Sequence, residues 1–445
     1  MSADLSRQDV NRQFWRYVLP TVAAMLVSGL YQLVDGIFIG RYIGADGLAA
    51  INVAWPIAGV LYGLGMMVGV GAGALSSLSR GEGKLARARA QLGNGLVLMA
   101  LMALAATGLL WVLGEPGLAI QNAEGNVLAL AQDYLHVLML AAPVALGSMA
   151  MPFMLRNDGA PNRATALIVA GAVTNIVLDW LFIAEFGWGL TGAAAATALA
   201  QLLVTLMGIA HFFSDKAQTR LTLADLRLRP YDAWRSCAIG LSSLLMYGYY
   251  SVVVALHNGL FLHYGDATVV GAYAIVSYLM AVYFLFAEGV ASGTQPLISY
   301  HYGAGEYGLM KRYIRLMLKV AVGSGVVALV LLNLASAPVI SIFNSADANL
   351  FAATEHGLRL HLIALYLDGF IFCVGVIFQS FGASGKATGV TLANMGIQLP
   401  FLLVLPQWFG LDGVWLALPI SNVALSLVAG ALLWREWRQL EARLG

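Results

Sequence analysis

The sequence predicts an all-α polytopic membrane protein with twelve transmembrane helices in two pseudo-symmetric six-helix lobes. The 445-residue chain is 60% hydrophobic and only 11% charged, far outside the range of soluble globular proteins. Its apolar runs repeatedly exceed the roughly 20 residues that a helix needs to cross a bilayer. Short motifs of the first half of the chain also recur in the second half, in the same order.

Twelve apolar runs each predict one spanning helix. Their predicted bounds are 14–40, 47–79, 90–114, 128–155, 164–186, 190–213, 236–264, 268–299, 313–334, 353–383, 387–409 and 413–434. Several runs are longer than the minimum, which indicates tilt or extension beyond the bilayer. The first ten residues are polar and no small-residue cleavage site follows. We therefore expect the first span to be retained rather than removed as a signal peptide.

The basic residues predict the orientation of these spans. Of the 24 Lys and Arg residues, only Arg41 and Arg359 fall on the side opposite to the others. The rest lie before span 1, after span 12, and in or beside the 2–3, 4–5, 6–7, 8–9 and 10–11 loops. The positive-inside rule places both termini and these loops in the cytoplasm. We expect a multi-pass protein of the cytoplasmic (inner) membrane.

A polar stretch at 214–235 divides the chain into an N-terminal lobe (1–213) and a C-terminal lobe (236–445). Motifs recur between the lobes at a shift of about 223 residues: D-G-I-F-I at Asp35 with N-G-L-F-L at Asn258, S-R-G-E-G at Ser79 with H-Y-G-A-G at His301, G-A-P-N-R-A-T at Gly159 with G-A-S-G-K-A-T at Gly382, and F-G at Phe186 with F-G at Phe409. Six spans separate the copies, so the copies keep one orientation, related by an axis along the membrane normal. This predicts a cavity between two lobes.

Asp35 is the most informative residue of the first span. The apolar run that begins near Phe14 holds no other acid and, past Arg16, no base. A charge within hydrocarbon costs about 2.5–3.5 kcal/mol, so such residues usually face a cavity or serve function. Burial also favours the neutral carboxyl. Pro20 lies fifteen residues earlier and permits a kink, which makes it a candidate hinge.

Polar groups of three spans lie at the same predicted depth. At 1.5 Å per residue, Asp35, Asp179 and Thr197 all fall roughly 8–10 Å below the outer boundary. The predicted coupling site comprises Asp35, Asp179, Asn175, Thr197, Tyr31 and Gln201. Two adjacent carboxyls cannot both ionise cheaply, so the pair should hold a proton. The alternative, that these groups only join helices, stays open, above all for Thr197 and Gln201.

The second lobe lacks the matching acids. Asn258, Gln398 and Leu402 stand where the first lobe has Asp35, Asn175 and Asp179. We therefore predict that the coupling ion acts in the first lobe alone. The predicted substrate cavity is lined by Asp368, Glu288, Gln32 and Tyr134. For Asp368 two partners remain open: a cationic substrate, or the nearby Arg359 and His361.

Other function classes have little support. The chain has no G-x-x-x-x-G-K-[ST] loop, so ATP should not drive transport within this chain. Its histidines show no metal-ligand spacing, and it has no G-x-S-x-G elbow. Cys237 and Cys373 are predicted to pack in or beside spans. We expect no enzymatic activity, no cofactor and no nucleic-acid partner, and a protein that works as a monomer in the lipid bilayer.

The motifs resemble those of multidrug and toxic compound extrusion (MATE) transporters along nearly the whole chain. The resemblance runs through V-D-G-I-F-I-G, A-I-N-V-A-W-P-I, R-N-D-G-A-P-N-R-A, N-I-V-L-D-W-L-F-I and T-Q-P-L-I-S-Y-H-Y-G-A-G. It implies two six-helix lobes around a V-shaped cleft, and export of cationic and aromatic drugs against H⁺ or Na⁺. We expect H⁺. If the ion is Na⁺, its expected oxygen ligands come from Asp35, Asn175, Asp179 and Thr197.

Within the family the chain looks closest to the DinF-type branch. That branch has an acid in helix 1, N-x-x-x-D in helix 5 and Thr in helix 6, which fall here on Asp35, Asn175, Asp179 and Thr197. The NorM-type branch has acids in helices 7 and 10, but span 7 has no acid between Leu241 and His263. The alternative function is a flippase for lipid-linked sugars or polysaccharide precursors. Its cavity should be basic to bind pyrophosphate, whereas these spans contain acids and almost no Arg or Lys.

Overall fold

The computed structural model describes residues 7–119, 125–343 and 347–442, and within these ranges the chain is helical with no strand. The helices are α1 (Arg7–Tyr42), α2 (Ala45–Gly81), α3 (Leu85–Ala119), α4 (Gly125–Asn157), α5 (Pro161–Asp179), α6 (Gly189–Phe213), α7 (Pro230–Tyr264), α8 (Ala267–Gly303), α9 (Tyr307–Leu334), α10 (Ser336–Phe343), α11 (Ala348–His361), α12 (Leu365–Ser380), α13 (Ser384–Phe409) and α14 (Leu411–Ala442). A π-helical segment, Trp180–Glu185, continues α5. A 3₁₀ turn, Leu223–Asp225, lies in the polar connection.

The predicted all-helical, multi-span architecture is confirmed. In the described ranges, eleven spans are long and apolar enough to cross a bilayer, and a bent pair of helices supplies a twelfth. The pair is α11 and α12, which meet at a 49° break. The span predicted over 353–383 corresponds to this pair, and its bend was not predicted. The short α10 was not predicted, because an eight-residue helix is too short to register as a span.

Helix α1 passes through Pro20 without interruption. Proline has no N–H to bond with the carbonyl one turn earlier, so it weakens the helix at this level. The carbonyl of Pro20 itself accepts a 2.7 Å hydrogen bond from the Thr165 hydroxyl of α5. The Thr21 hydroxyl donates to the Tyr17 carbonyl at 2.8 Å.

The hydrophobic side chains form three main cores, and α1 contributes to two of them. Ile39, near its carboxyl end, packs in the core of the first half, with residues of α2 to α6. Val10, Phe14, Val18 and Val22 pack instead in a core built from α8, α9, α12, α13 and α14. A third core lies between α7, α8, α11, α13 and α14. Helix α1 therefore joins the first half of the chain to the second.

Helices α2 and α8 approach closely near their carboxyl ends, where small residues leave room for backbone. A Cβ atom at Gly81 would meet the carbonyl of Tyr300, and one at Gly303 would meet the carbonyl of Leu78. The Ser77 hydroxyl donates to the Pro296 carbonyl at 3.1 Å in the same contact. This packing brings the two halves together at the end of the molecule that bears the 2–3 and 8–9 loops.

The recurring motifs take the same backbone turns in both halves. Glycines with positive φ end the matched segments in pairs: Gly83 and Gly305, Gly159 and Gly382, Gly187 and Gly410. Only glycine adopts this conformation without strain, which explains why these positions agree between the copies. Superposition of whole lobes remains a prediction.

The polar connection folds onto the end of α4. Asp158 accepts hydrogen bonds from the backbone N–H groups of Gln218 (3.0 Å) and Thr219 (2.7 Å). The His211 Nε2 atom lies 3.0 Å from the same carboxyl group. Of the basic residues used for orientation, Arg443 lies outside the described residues.

Candidate functional site

The structure brings Asp35 of α1 and Asp179 of α5 together. The two carboxyl groups lie close enough to interact electrostatically within the first half. Asp179 is fully buried and Asp35 is half-buried. If both groups were ionised, neither could donate to the other, and Oδ1 of Asp35 and both oxygens of Asp179 find no donor among the described residues. A single proton shared by the two groups would supply one donor.

Asp179 is placed by a change in helix type. It is the last residue of α5, and the π-helical segment Trp180–Glu185 begins directly after it. A π-helical turn holds more residues than an α-helical one and redirects the side chains beside it; such segments are frequent at functional sites. Asn175, one turn earlier, is buried and donates to the Thr197 hydroxyl of α6 at 3.2 Å.

A second pair of polar groups lies next to the acids. Gln201 of α6 donates to the Tyr62 hydroxyl of α2 at 3.2 Å. Both line a small cavity together with Tyr134 of α4 and Thr197. Tyr31 lies one helical turn before Asp35 on α1. All six residues of the predicted coupling site therefore lie in one region.

The oxygen atoms of this region suit a small hard cation as well as a proton. Asn175 Oδ1, like the carboxyl oxygens, accepts no hydrogen bond in the described part of the chain. Carboxylate, amide and hydroxyl oxygens are the ligands that hard cations prefer. In the same ranges, no group of three or more His, Cys, Asp or Glu has the arrangement of a metal site. A bound Na⁺ would rely on the amide and hydroxyl oxygens of Asn175 and Thr197 besides the two acids.

A larger cavity of about 110 Å³ lies between the two halves. Asp368 of α12 and Glu288 of α8 line it. Its other lining side chains include aromatic, methionine and amide groups, namely Phe153, Phe284, Phe372, Tyr249, Met66, Met246, Gln379, Asn394 and Asn422. The mixture of apolar surface with two acids is typical of a site for organic cations.

The four predicted cavity residues are placed differently from one another. Asp368 and Glu288 line the large cavity, whereas Tyr134 lines the small one beside Thr197. Gln32 is exposed on α1 and lines neither. Asp368 accepts a 2.6 Å hydrogen bond from Asn422 of α14.

The two basic partners considered for Asp368 bind elsewhere. Arg359 pairs with Glu355 at 2.9 Å. His361 Nδ1 lies 2.9 Å from the Trp415 carbonyl. In this conformation Asp368 is thus bonded to an amide, and a cationic substrate remains the open alternative.

Sequence reasoning missed two buried residues. Tyr62 carried no signal because a tyrosine within an apolar span is common. Arg156 was grouped with the bases of the 4–5 loop, but α4 continues through Asn157 and buries it, with 1% of its surface exposed. Arg156 is therefore a buried base at the end of α4, which the sequence analysis had placed beside the 4–5 loop.

These features define the class of the protein: a polytopic membrane protein with a buried polar site in one half and an acid-lined cavity between its halves. The chain belongs to the MatE family, whose model matches residues 20–181 and 238–404. It is similar to the multidrug export protein MepA of Staphylococcus aureus (strain MSSA476), with 27% identity over 429 residues, 95% of this chain and 93% of MepA.

Solved structures share the fold. One is an outward-facing multidrug resistance MATE family transporter of the MOP superfamily, with 23% identity, a TM-score of 0.89, and coverage of 97% of this chain and 96% of the other. Another is a MATE protein in a bent conformation, with 24% identity, a TM-score of 0.89, and coverage of 98% and 96%. The fold of this chain is therefore that of MATE transporters.

Proposed function

We propose that this protein is a multidrug exporter of the DinF-type branch that exchanges cationic and aromatic drugs for protons. The observation that carries the proposal is the pair of facing carboxyls, Asp35 and Asp179, with three buried oxygens that lack a donor. Joining helices does not require two acids. A pair of adjacent carboxyls suits a site that takes up and releases one proton, since the two groups then titrate as a single unit.

The large cavity supports cationic aromatic substrates. Asp368 and Glu288 supply negative charge, and Phe284 and Phe372, whose ring centroids are 5.2 Å apart, supply aromatic surface. Cations are attracted to aromatic faces as well as to carboxylates. Similarity to the MepA multidrug export protein points in the same direction.

Helix α1 is suited to couple the two sites. Asp35 lies near its carboxyl end, while Phe14 and Val18 pack in the core of the second half. Pro20 lies between these regions and weakens the helix there. Protonation at the acid pair would shift the end of α1 that bears Asp35, and bending at Pro20 would pass this shift to the contact between the halves.

The energy available from one proton is sufficient for useful export. A proton moving down about 100 mV releases roughly 2.3 kcal/mol, and one pH unit adds roughly 1.4 kcal/mol. For an uncharged drug these together support a gradient of about 400-fold per proton, whereas for a monocation exchanged one for one the electrical terms cancel and one pH unit supports about tenfold.

Uptake of a cationic dye into everted membrane vesicles tests the proposal. We expect a pH gradient to drive dye uptake into the vesicles and an Na⁺ gradient alone to be ineffective. Uptake driven only by Na⁺ would assign the same residues to a sodium site instead. Absence of uptake under either gradient, with the protein present in the membrane, would contradict the proposed export.

The same preparations test the proposed inner-membrane orientation. We propose that both termini and the 214–235 connection face the cytoplasm. A cysteine placed in that connection should react with an impermeant reagent in everted vesicles and not in intact cells. Labelling of intact cells would reverse the topology.

A further inference from the structure

Arg156 is a buried cation without a bonded partner. Its three guanidinium nitrogens form no hydrogen bond within the described structure, although only 1% of the residue is exposed. Its Cζ atom lies 4.7 Å from the centroid of the Phe153 ring. Arginine stays ionised in proteins, so a lost proton cannot relieve this site. An uncompensated buried charge is strongly destabilising, which implies a partner in another state of the protein.

The two residues that follow Arg156 are also buried, but their side chains form hydrogen bonds. Asn157 donates to the Gln295 side chain of α8 at 2.7 Å, across the contact between the halves. Asp158 binds His211 and two backbone N–H groups of the polar connection. Three consecutive polar residues are thus buried, and only the arginine has no hydrogen bond from its side chain to the described residues.

Glu288 of α8 acts electrostatically on Arg156, and Arg156 acts electrostatically on Glu288. Glu288 is 92% buried and lines the large cavity, as does Phe153, on which the guanidinium rests. No ion-pair contact within 4.0 Å joins Arg156 to Glu288 in this conformation. The two opposite charges belong to different halves, and Phe153, on which the guanidinium rests, lines the same cavity as Glu288.

The internal duplication provides a neutral copy of the same place. Arg156 precedes the positive-φ Gly159 by the same three positions by which Gln379 precedes Gly382. Gln379 is satisfied, since it donates to the hydroxyls of Ser242 (2.6 Å) and Ser243 (3.0 Å). The offset that relates Gly81 to Gly303 brings Glu288 onto Met66, another cavity residue. The fold therefore does not need charges at these positions.

We propose that Arg156 is the resident counter-cation of Glu288, and that a cationic substrate entering the cavity takes its place. This inference rests on the proposed export of cationic drugs. In a second conformation of the empty cavity, the guanidinium moves from its position against Phe153 onto the Glu288 carboxylate. A bound organic cation displaces it, and its return helps to expel the substrate.

The proposal makes Arg156 a specificity-determining residue that never needs to touch the drug. Removing it should strengthen the binding of cations and slow their release. A purely structural arginine would behave differently, because its loss would weaken binding and stability together. Binding affinity and export rate should thus move in opposite directions in Arg156→Gln.

Dye binding to the purified protein tests the proposal without any ion gradient. Ethidium supplies an aromatic monocation, and phenanthridine supplies the same ring system without the charge. We expect Arg156→Gln to bind ethidium about tenfold more tightly, corresponding to about 1.4 kcal/mol. Phenanthridine binding should not change. Arg156→Lys, which keeps the charge, should stay close to the wild type.

The same substitution made in a Glu288→Gln background decides whether the effect passes through that carboxylate. There, Arg156→Gln should leave ethidium binding unchanged. An equal gain in both backgrounds, or unchanged or weaker ethidium binding in Arg156→Gln alone, would overturn the proposal. Export of ethidium by everted vesicles is measured separately, so a failure of the export proposal is distinguishable.

Thermal unfolding without dye gives a second test that does not depend on ligand binding. Arg156→Gln and Glu288→Met each leave one buried charge, whereas the double variant copies the neutral pair Gln379 and Met66. We expect the double variant to unfold at a higher temperature than the Glu288→Met variant. The exposed pair Arg359 and Glu355 serves as control, with weak coupling expected. Additive effects for Arg156 and Glu288 would contradict the pairing.

Discussion

The two halves of the chain place different side chains at matching positions: acids in the first half and neutral groups in the second. Asp35 and Asp179 are buried with oxygens that find no donor. In the second half, Leu402 takes the place of Asp179 and is buried in a hydrophobic core. Gln398 takes the place of Asn175 and accepts a hydrogen bond from the Tyr249 hydroxyl.

A group of aromatic rings completes the second region. His257 stands beside Asn258, the match of Asp35, and packs against Tyr273, Phe261 and His361. Each imidazole uses Nδ1 on a backbone carbonyl. No acid stands at the positions that match Asp35 and Asp179, which are Asn258 and Leu402. Nε2 of Gln398 and of both histidines finds no partner among the described residues, so this region too holds unpaired polar atoms. The difference teaches that neutral groups can fill these positions of the fold, so the acids of the first half are not required for folding.

The largest expected effect follows removal of one acid. Asp35→Asn keeps the size of the side chain and its hydrogen bonding, but it cannot titrate. The variant should fold, reach the membrane and still bind dye, while the dye gradient driven by protons disappears, because no proton is taken up at this site. Dye transport in everted vesicles, with the amount of protein in the membrane as control, measures this. Export at the wild-type rate with normal coupling would move the coupling site to Asp368 or Glu288.

The second expected effect is nearly as large and concerns the pair as a unit. Asp179→Asn should abolish coupled export in the same way. The double variant should be no worse than either single variant, because residues that act together are not additive. Residual transport in both single variants that disappears only in the double variant would show that each acid works alone.

Much of this comparison could be predicted from the sequence. The depth of Asp35, Asp179 and Thr197 follows from helix geometry, since each residue rises 1.5 Å. The structure places all three in one region, as expected. The matched glycines were visible as motifs because a positive φ strongly favours one residue type.

Other features depend on contacts that a local pattern does not encode. The break between α11 and α12 falls on the apolar stretch 362–364, which contains neither Pro nor Gly. Tertiary packing must therefore set the bend. Tyr62 joins the site through Gln201, a contact 139 positions distant in the chain. The burial of Arg156 depends on how far α4 continues, and helix ends are poorly marked when a run of polar residues is itself buried.

A smaller effect is expected at the neutral counterpart of Asp179. Leu402→Ala leaves a cavity in the core of the second half, and such changes cost about 2–5 kcal/mol of stability in well-packed interiors. The melting temperature of the purified protein should fall. Protons exchanged per dye should stay as in the wild type, since no titrating group changes. An altered stoichiometry would show that the second half takes part in coupling.

The smallest effect is expected at Asn258, the match of Asp35. Asn258 is half-buried and neutral, and Leu402 at the facing position offers it no charge to balance. Asn258→Ala therefore removes one amide without changing the charge of either half. Export in everted vesicles should stay within about twofold of the wild type, a change of about 0.4 kcal/mol. The comparison is sharpest when Asn258→Ala and Asp35→Asn are measured together, because both alter one side chain at equivalent depth. A loss at Asn258 as deep as that at Asp35 would mean that position within the duplicated fold, rather than the carboxyl group, determines coupling.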